Sequence, residues 1–415
     1  MAFESPRAKR YVRGGGEWGV QVFDTRSGRK EEFTAETVRM YVCGPTVYGG
    51  AHMGHARSYV AFDVIRRYLE YTGRRVIHVQ NFTDVEDSIT KAAVAAGRDP
   101  LEYAADRLTA FQADMDRLNV RRPHHLPKVT DHIPEIQSVV GKMLGSGWAY
   151  GRNGNVYFRA RRAKSLGSLS HQKVEDLVVA GADPGEREDL LDFALWKRSK
   201  PGEPSWESPW GRGRPGWHVE CYAMGSKYLG DQMDLHGGGL DLIYPHHESE
   251  EMISEAVTGL PWSRLWLHNG FLTMESEKMS KSLGNSVPLA GMLETWGPDT
   301  LRLCLTKEPY RASTEHDPVC FEKSRDQVKT LRSALDHLKG LGGGKTGGTG
   351  VALSSHLDRT FTKAMDDDFD TWEAHFALMQ FAEALLDLKD VTAEDASILG
   401  SAYRGVLGVF GLFGF

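Results

Sequence analysis

The sequence predicts an α/β protein: a parallel sheet divided by a long insertion and followed by a helical C-terminal part. Three observations carry that expectation. Between residues 38 and 81 a strand, a helix and a second strand follow one another, the βαβ order that sets two strands side by side in parallel. Strand patterns return at 233–236 and 265–268, so the sheet resumes after an insertion of roughly residues 100–215. From Leu353 onward the pattern is mostly helical.

The first strand, 38–43 (VRMYVC), stops at Gly44 and Pro45. A helix starts near Gly54, with Val60, Val64, Tyr68 and Tyr71 near helical spacing and Gly73 as its stop. The next strand is 75–81 (RVIHVQN). Residues 101–120 and 133–144 read as helices, and a hairpin turns at Asn153-Gly154 between 148–150 and 156–158. The stretch 161–215 is loop-rich, with prolines at 184, 201, 204, 209 and 215. A helix at 246–257 separates the two later strands. Beyond them, Val328, Leu331, Leu335 and Leu338 form one apolar helix face, with Arg325, Lys329 and Arg332 on another. Residues 340–350 hold seven glycines and read as a flexible linker. Gly344-Lys345-Thr346 is not a phosphate-binding loop of the G-x-x-x-x-G-K type, because Lys339 stands where its first glycine belongs. In the last segment Phe376, Met379, Phe381, Leu385 and Leu388 are the expected core. Residues 351–395 carry 11 acidic and 3 basic side chains, a poor surface for RNA.

Hydrophobic residues are 40% and charged residues 26% of the 415, the balance of a soluble globular chain with room for two or three domains. Residues 1–18 are basic and glycine-rich without the apolar run of a signal peptide, and 405–415 is too short to span a bilayer. Cys43, Cys221, Cys304 and Cys320 lie far apart, unlike a disulfide framework. A cytoplasmic setting, no membrane association and a monomer are therefore expected. The net charge of -6 gives no global attraction to nucleic acid, so any RNA contact must use local patches.

His52-Met53-Gly54-His55 stands at the mouth of the first helix. A helix N-terminus offers unpaired N–H groups and positive dipole to phosphate oxygens. Gly54 permits close approach, and His52 and His55 add donors where charge grows during attack on phosphorus. A helix merely capped by two histidines would look the same. Lys278-Met279-Ser280-Lys281-Ser282 places two cations on a turn with Gly284, suited to polyphosphate and to a loop that closes over it. His236-Gly237-Gly238-Gly239-Leu240-Asp241 follows a later strand. There Gly239 allows close backbone approach and Asp241 suits a ribose hydroxyl.

Cys43, Cys221, His246 and Glu250 raise a metal hypothesis. His246 and Glu250 are four residues apart on one predicted helix and share a face. Two thiolates, an imidazole and a carboxylate suit zinc. No C-x-x-C pair supports it, and buried cysteines beside an ordinary helix-surface pair remain an alternative.

The histidine and lysine motifs, in this order, resemble the HIGH and KMSKS signatures of class I aminoacyl-tRNA synthetases, with Met53 in place of the usual isoleucine. More closely, the chain resembles the cysteinyl-tRNA synthetase family. The resemblance rests on MYVCGPTVY (40–48), HAR (55–57), FDV (62–64), NFTDV (81–85), LDFALWK (191–197), 201–210, 213–221, 236–248 and HNGFL (268–272). It runs from about residue 20 to 310, then more loosely through MDDDF (365–369). Glu86, Ser88, Asp370 and Trp372 depart from the common pattern.

The resemblance implies a Rossmann-type sheet of the class I synthetase kind, its halves at 20–100 and 216–290. It places an acceptor-end insertion at 101–215, a helical stem-contact region at 291–340, a linker at 341–350 and a helical bundle at 351–415. It implies one zinc ion on Cys43, Cys221, His246 and Glu250. Gly44, Thr83 and Trp217 would lie beside the amino acid, and His52, Gly54, His55, Gly239, Asp241 and Lys281 on ATP, which carries Mg²⁺. His52, His55, Lys278 and Lys281 would be catalytic, and the partner tRNA(Cys). Zinc ionises a bound thiol far below its free pKa of about 8.5. Rejecting serine about 10⁴-fold needs roughly 5.5 kcal/mol, within reach of metal–thiolate bonding without an editing domain. That family usually continues into a small basic module that reads the anticodon. No counterpart precedes Phe415, so tRNA recognition is expected at the acceptor end and on Arg325, Lys329 and Arg332. Two rival readings are a cysteine ligase acting on glucosaminyl-inositol and a silent regulatory paralogue. Gly44 to Tyr48 and His55-Ala56-Arg57 argue against the first, and the intact histidines and lysines against the second.

Overall fold

The computed structural model describes residues 19–177, 185–274, 277–279, 284–345 and 347–415. β1 (Val20–Asp24), β2 (Arg29–Phe33) and β3 (Thr37–Val42) precede α1 (Met53–Tyr71), and β4 (Arg75–Gln80) completes the βαβ unit. α2 (Asp87–Ala95) follows, and the insertion carries α3 (Pro100–Arg117) and α4 (Ile133–Gly145), then β5 (Ala149–Arg152), β6 (Asn155–Phe158), β7 (Phe193–Arg198) and β8 (Gly213–Pro215). α5 (Trp217–Leu229) returns to the sheet through β9 (Met233–Gly239), α6 (Glu248–Thr258) and β10 (Ser263–Asn269). The short strands β11 (Leu272–Met274), β12 (Glu277–Lys278) and β13 (Thr314–Glu315) form a separate small sheet. Helices α7 (Leu289–Trp296), α8 (Pro298–Leu305), α9 (Pro318–His337), α10 (Thr349–Met365), α11 (Thr371–Asp387) and α12 (Ala393–Phe410) fill the C-terminal part.

The main sheet has the order β10-β9-β3-β4 and is parallel throughout. Its strands carry near-continuous buried runs, as Met40, Tyr41 and Val42 illustrate, because both faces are covered. From β3 the chain moves to β4 on one side, and β9 later joins on the other. The crevice between β3 and β9 is therefore a topological switch point, the place where open α/β sheets bind ligands at the carboxyl ends of their strands.

The insertion differs from its reading as loops. β7 and β8 extend the expected β5–β6 hairpin into a four-stranded antiparallel sheet. Asn153 and Gly154 both take positive φ (51° and 81°), as that hairpin turn requires. β8 is three residues long and contains Pro215, so it leaves no strand pattern to read. Pro184 lies outside the described residues.

Three further differences concern the C-terminal part. The glycine-rich stretch is anchored: Gly344 donates its N–H to Val391 O (2.9 Å) and Gly350 to Asp395 Oδ1 (3.0 Å). Phe376 is 59% exposed, whereas Ala377 and Leu378 beside it are buried. Cys304 and Cys320 are joined as a disulfide, their Cα atoms 5.9 Å apart, because the last turn of α8 meets the first turn of α9.

Packing of the C-terminal helices on α1 is fixed by a buried charge cluster. Asp63 accepts from Arg67 (2.7 Å) and Arg302 (2.6 Å), and all three are at most 3% exposed. Arg302 also donates to Phe410 O, and Arg67 to Gly408 O and Phe415 O. Among the described residues no helix is long and apolar enough to cross a membrane.

Candidate active site and metal centre

The carboxyl ends of β3, β9 and β10 deliver Cys43, Gly239 and Asn269 to one edge of the sheet, and α1 starts there. His52 is the N-cap of α1. Its Nδ1 accepts from His55 N–H (3.4 Å), and His55 Nδ1 accepts from His52 N–H (3.3 Å). The rings stack 3.8 Å apart. The histidines cap the helix, and a neutral ring that accepts at Nδ1 carries its proton on Nε2. A Cβ on Gly54 would stand 3.0 Å from the His52 ring, which would have to shift to admit it. His55 packs edge-on against Phe111 (5.6 Å), a residue of the insertion.

The second motif is joined directly to the first. Met53 N–H donates to Val287 O (3.0 Å) and Leu289 N–H to Ala51 O (3.0 Å), so the chain leaving the lysine loop runs beside the start of α1. Lys278 lies on β12 with Nζ 2.7 Å from Asp241 Oδ2 and over the Phe271 ring. Asp241 sits in the turn after Gly239. Lys281 lies outside the described residues.

The four proposed metal ligands converge. One ligand atom from each of Cys43, Cys221, His246 and Glu250 lies within 4.8 Å of the others, and all four residues are buried. Cys43 follows β3, and Cys221 sits on α5. His246 belongs to the irregular turn that precedes α6, which begins at Glu248 rather than at His246. The pairing survives that shift: His246 Nε2 lies 3.0 Å from Glu250 Oε1. Cys43 Sγ is 4.0 Å from Cys221 Sγ and 3.7 Å from Glu250 Oε1.

A second set, Cys43, His236, His247 and Glu250, is equally compact, with His247 Nε2 3.3 Å from Cys43 Sγ. Glu250 Oε2 is already held by His236 Nε2 (2.7 Å) and the Trp262 indole N–H (3.1 Å), while Oε1 faces His246 and Cys43. His236 and Trp262 therefore orient the Glu250 carboxylate from behind. His247 joins Cys43 on one side to His268 on the other (Nδ1 to Nε2, 2.8 Å), and His268 meets Thr25. Two thiols, an imidazole and a carboxylate form the donor set that suits zinc.

The groups of the cluster shift one another strongly. The hydrogen bond from Cys43 and the charge of His246 bring Cys221 down to about 6, against burial. Burial and the neighbouring Cys221 and Glu250 charges push Cys43 up. Against burial, Cys221 and Glu250 raise His246 to about 10; likewise His236 and His246 hold Glu250 near 2. A bound metal ion would displace the protons this cluster otherwise retains.

Around the cluster, Trp217 stacks on His246 (4.1 Å, 18°). Thr83 is buried and receives Asn81 Nδ2–H (3.3 Å). Gly44 donates to Asn81 Oδ1 (2.8 Å), and any side chain there would overlap Asn81 O. His236, His247 and Trp262 escaped the sequence reading. The adjacency of His246 and His247 and the histidine of the 236–241 glycine run were the available signals.

The basic stripe on α9 is engaged within the chain. Arg325 lies over Trp296 (5.3 Å), Lys329 pairs with Asp326 (2.8 Å), and Arg332 covers Phe413 (3.8 Å) beside Asp299.

Comparison with known proteins agrees with this geometry. Residues 29–325 match the family described as tRNA synthetases class I (C) catalytic domain. Cysteine–tRNA ligase of Desulforudis audaxviator is 45% identical over 410 residues, covering 94% of this chain and 86% of that protein. The cysteine–tRNA ligase of Thermococcus gammatolerans is 43% identical over 417 residues, with 95% and 86% covered. In fold, the chain is similar to Mycobacterium tuberculosis methionyl-tRNA synthetase in complex with methionyl-adenylate (TM-score 0.64, 16% identity, 90% and 89% covered). It is also similar to LeuRS of Agrobacterium radiobacter in a ternary complex with tRNA and LeuAMS (TM-score 0.66, 11% identity, 92% and 84% covered).

Proposed function

The chain belongs to the cysteine–tRNA ligase family of class I tRNA synthetases, and on that premise we propose that it activates cysteine with ATP and transfers it to the 3′-terminal ribose of tRNA(Cys). The cysteine carboxylate attacks the α-phosphate of ATP, and pyrophosphate leaves. A ribose hydroxyl then attacks the acyl carbon, and AMP leaves. The observation that carries this reading is the meeting, at one switch point, of a Cys-Cys-His-Glu cluster with a histidine-capped helix start.

In this reading Cys43, Cys221, His246 and Glu250 hold zinc, which supplies a soft Lewis acid able to tell a thiol from a hydroxyl. Thr83, Gly44 and the face of Trp217 bound the amino-acid pocket. His52 and His55, held with Nε2–H outward from their caps, donate to phosphate oxygens as charge grows on them. Gly54 lets that approach occur, and Gly239 and Asp241 receive the nucleoside. Lys278 and Lys281 neutralise the polyphosphate with Mg²⁺. The insertion at 101–215 would meet the acceptor end, with the α9 stripe beyond it. Relatives over 94–95% of the chain are cysteine–tRNA ligases, which favours tRNA over an amino sugar as acceptor.

The test is exchange of pyrophosphate into ATP with cysteine or serine, followed by transfer to tRNA or to glucosaminyl-inositol. The reading expects cysteine-dependent exchange and transfer to tRNA alone.

A further inference from the structure

Arg57 lies two residues beyond His55 on α1 and is 1% exposed. It forms no ion pair among the described residues. Its guanidinium instead collects main-chain carbonyls: those of Leu305, Glu308 (3.5 Å), Pro309 (2.9 Å), Tyr310 (3.4 Å) and Ala312 (3.1 Å). A buried charge without a counter-ion is costly, and burial lowers this group to about 10, still protonated at neutral pH. An apolar side chain would spare that cost but leave these carbonyls without their donor. What a planar fork of donors supplies is a fixed shape for an irregular segment.

That segment leads to the lysine motif by an unbroken run of hydrogen bonds. Gly270 donates to Tyr310 O (2.9 Å), and a Cβ on Gly270 would stand 2.3 Å from the Ala312 carbonyl. β13 then pairs with β11, through Thr314 N–H to Phe271 O (2.9 Å) and His316 N–H to Thr273 O (2.8 Å). β11 pairs with β12, setting Thr273 opposite Lys278, and Met279 N–H donates to Leu272 O (2.9 Å). On its far side the loop returns to α1 through the bond from Met53 to Val287 O.

We propose that Arg57 is a positioning residue: it ties the helix bearing His52 and His55 to the strands bearing Lys278, and so sets the distance between the two phosphate-binding motifs. This rests on the cysteine-activation reading, which the wild-type exchange rate tests by itself. Arg57 acts through Lys278 and touches no substrate.

The experiment is a double-mutant cycle on cysteine-dependent pyrophosphate exchange, using the full chain with zinc content and Tm measured for every variant. Arg57→Lys should lower kcat between roughly ten- and a hundredfold, the scale on which displaced groups act. KM for cysteine and zinc content should stay within about twofold of wild type, on the scale of a group that spares ground-state binding. In a Lys278→Ala background the same substitution should cost less than about threefold, because the group it positions is gone. Arg57→Gln, which removes the charge and most donors, should show the same pattern and serves where lysine impairs folding. Equal losses in both backgrounds, or a loss seated in cysteine KM or zinc content, would overturn the proposal.

Discussion

Lys278 Nζ and Asp241 Oδ2 stand 2.7 Å apart. The first lysine of the second motif and the carboxylate in the turn after β9 are therefore ion-paired. In the proposed reading ATP would divide them, its ribose taking Asp241 and its phosphates Lys278. Lys278→Ala should slow cysteine-dependent exchange by roughly ten- to a thousandfold, with cysteine KM nearly intact, because the charge it meets grows in the transition state. Asp241→Asn should instead raise KM for ATP. Steady-state kinetics of both variants check this, and a loss confined to cysteine KM for Lys278→Ala contradicts it.

The metal site predicts about one zinc ion per chain by mass spectrometry of the native protein. Cys221→Ala should lose that zinc together with cysteine-dependent exchange. Trp262→Phe keeps the ring but removes the indole N–H from Glu250 Oε2, and should weaken zinc affinity by roughly ten- to a hundredfold, the usual effect of losing such a supporting bond. Unchanged zinc in Cys221→Ala would refute the ligand set.

Stability should depend strongly on the buried Asp63 cluster. Arg302→Ala leaves Asp63 with one cationic partner and frees the Phe410 carbonyl, so a loss of about 3–5 kcal/mol is expected. Burial works against Asp63, yet Arg302 and Arg67 hold its carboxyl below the usual range. Its stabilising contribution is present above the unfolded carboxylate pKa and is lost as pH falls through the depressed one. Chemical denaturation at neutral pH measures the variant, and a change below about 1 kcal/mol, the scale of an exposed pair, would contradict the assignment.

Histidines set a milder acid limit. Burial, with Lys307 nearby, lowers His375 to about 3; burial with Arg66 and His124 does the same to His78. Both are neutral in the fold, whereas the unfolded chain protonates them below about 6.5. The contribution of these two histidines should therefore fall as pH drops from about 6.5 toward 3 and be flat above 7. His375→Gln should remove about 1.4 kcal/mol of the difference between pH 7.5 and 5.5. Urea midpoints at the two pH values check it, and an unchanged difference contradicts it.

The parallel sheet and the grouping of Cys43, Cys221, His246 and Glu250 were legible in the sequence for physical reasons. Both strands of the βαβ unit are rich in valine, isoleucine, methionine and tyrosine, broken only by Arg39 and His78 inside them, and the helix between them is bounded by His52 and Gly73. His246 and Glu250 read correctly as a pair even though the helix proper starts at Glu248, because the preceding turn keeps their side chains on one side. What stayed hidden depends on contacts between distant segments. Cys304 and Cys320 meet only because α8 and α9 fold back on each other. Gly342 to Gly344 look like a linker until the start of α12 is seen to hold them. Phe376 stands five positions before the buried Phe381, about 140° round the helix, so it faces away from the packed side of α11. Arg57 reads as one more residue after a motif, and its five carbonyl partners lie some 250 positions away.

The central claim is that one site selects cysteine by its thiol and activates it with ATP. Measuring kcat/KM for pyrophosphate exchange with cysteine and with serine, on zinc-replete protein, tests it most directly. The account predicts a preference for cysteine of about 10⁴-fold or more, the discrimination that roughly 5.5 kcal/mol supplies, and its collapse when zinc is removed. Comparable rates with serine, or a preference for cysteine that persists undiminished without zinc, would contradict it.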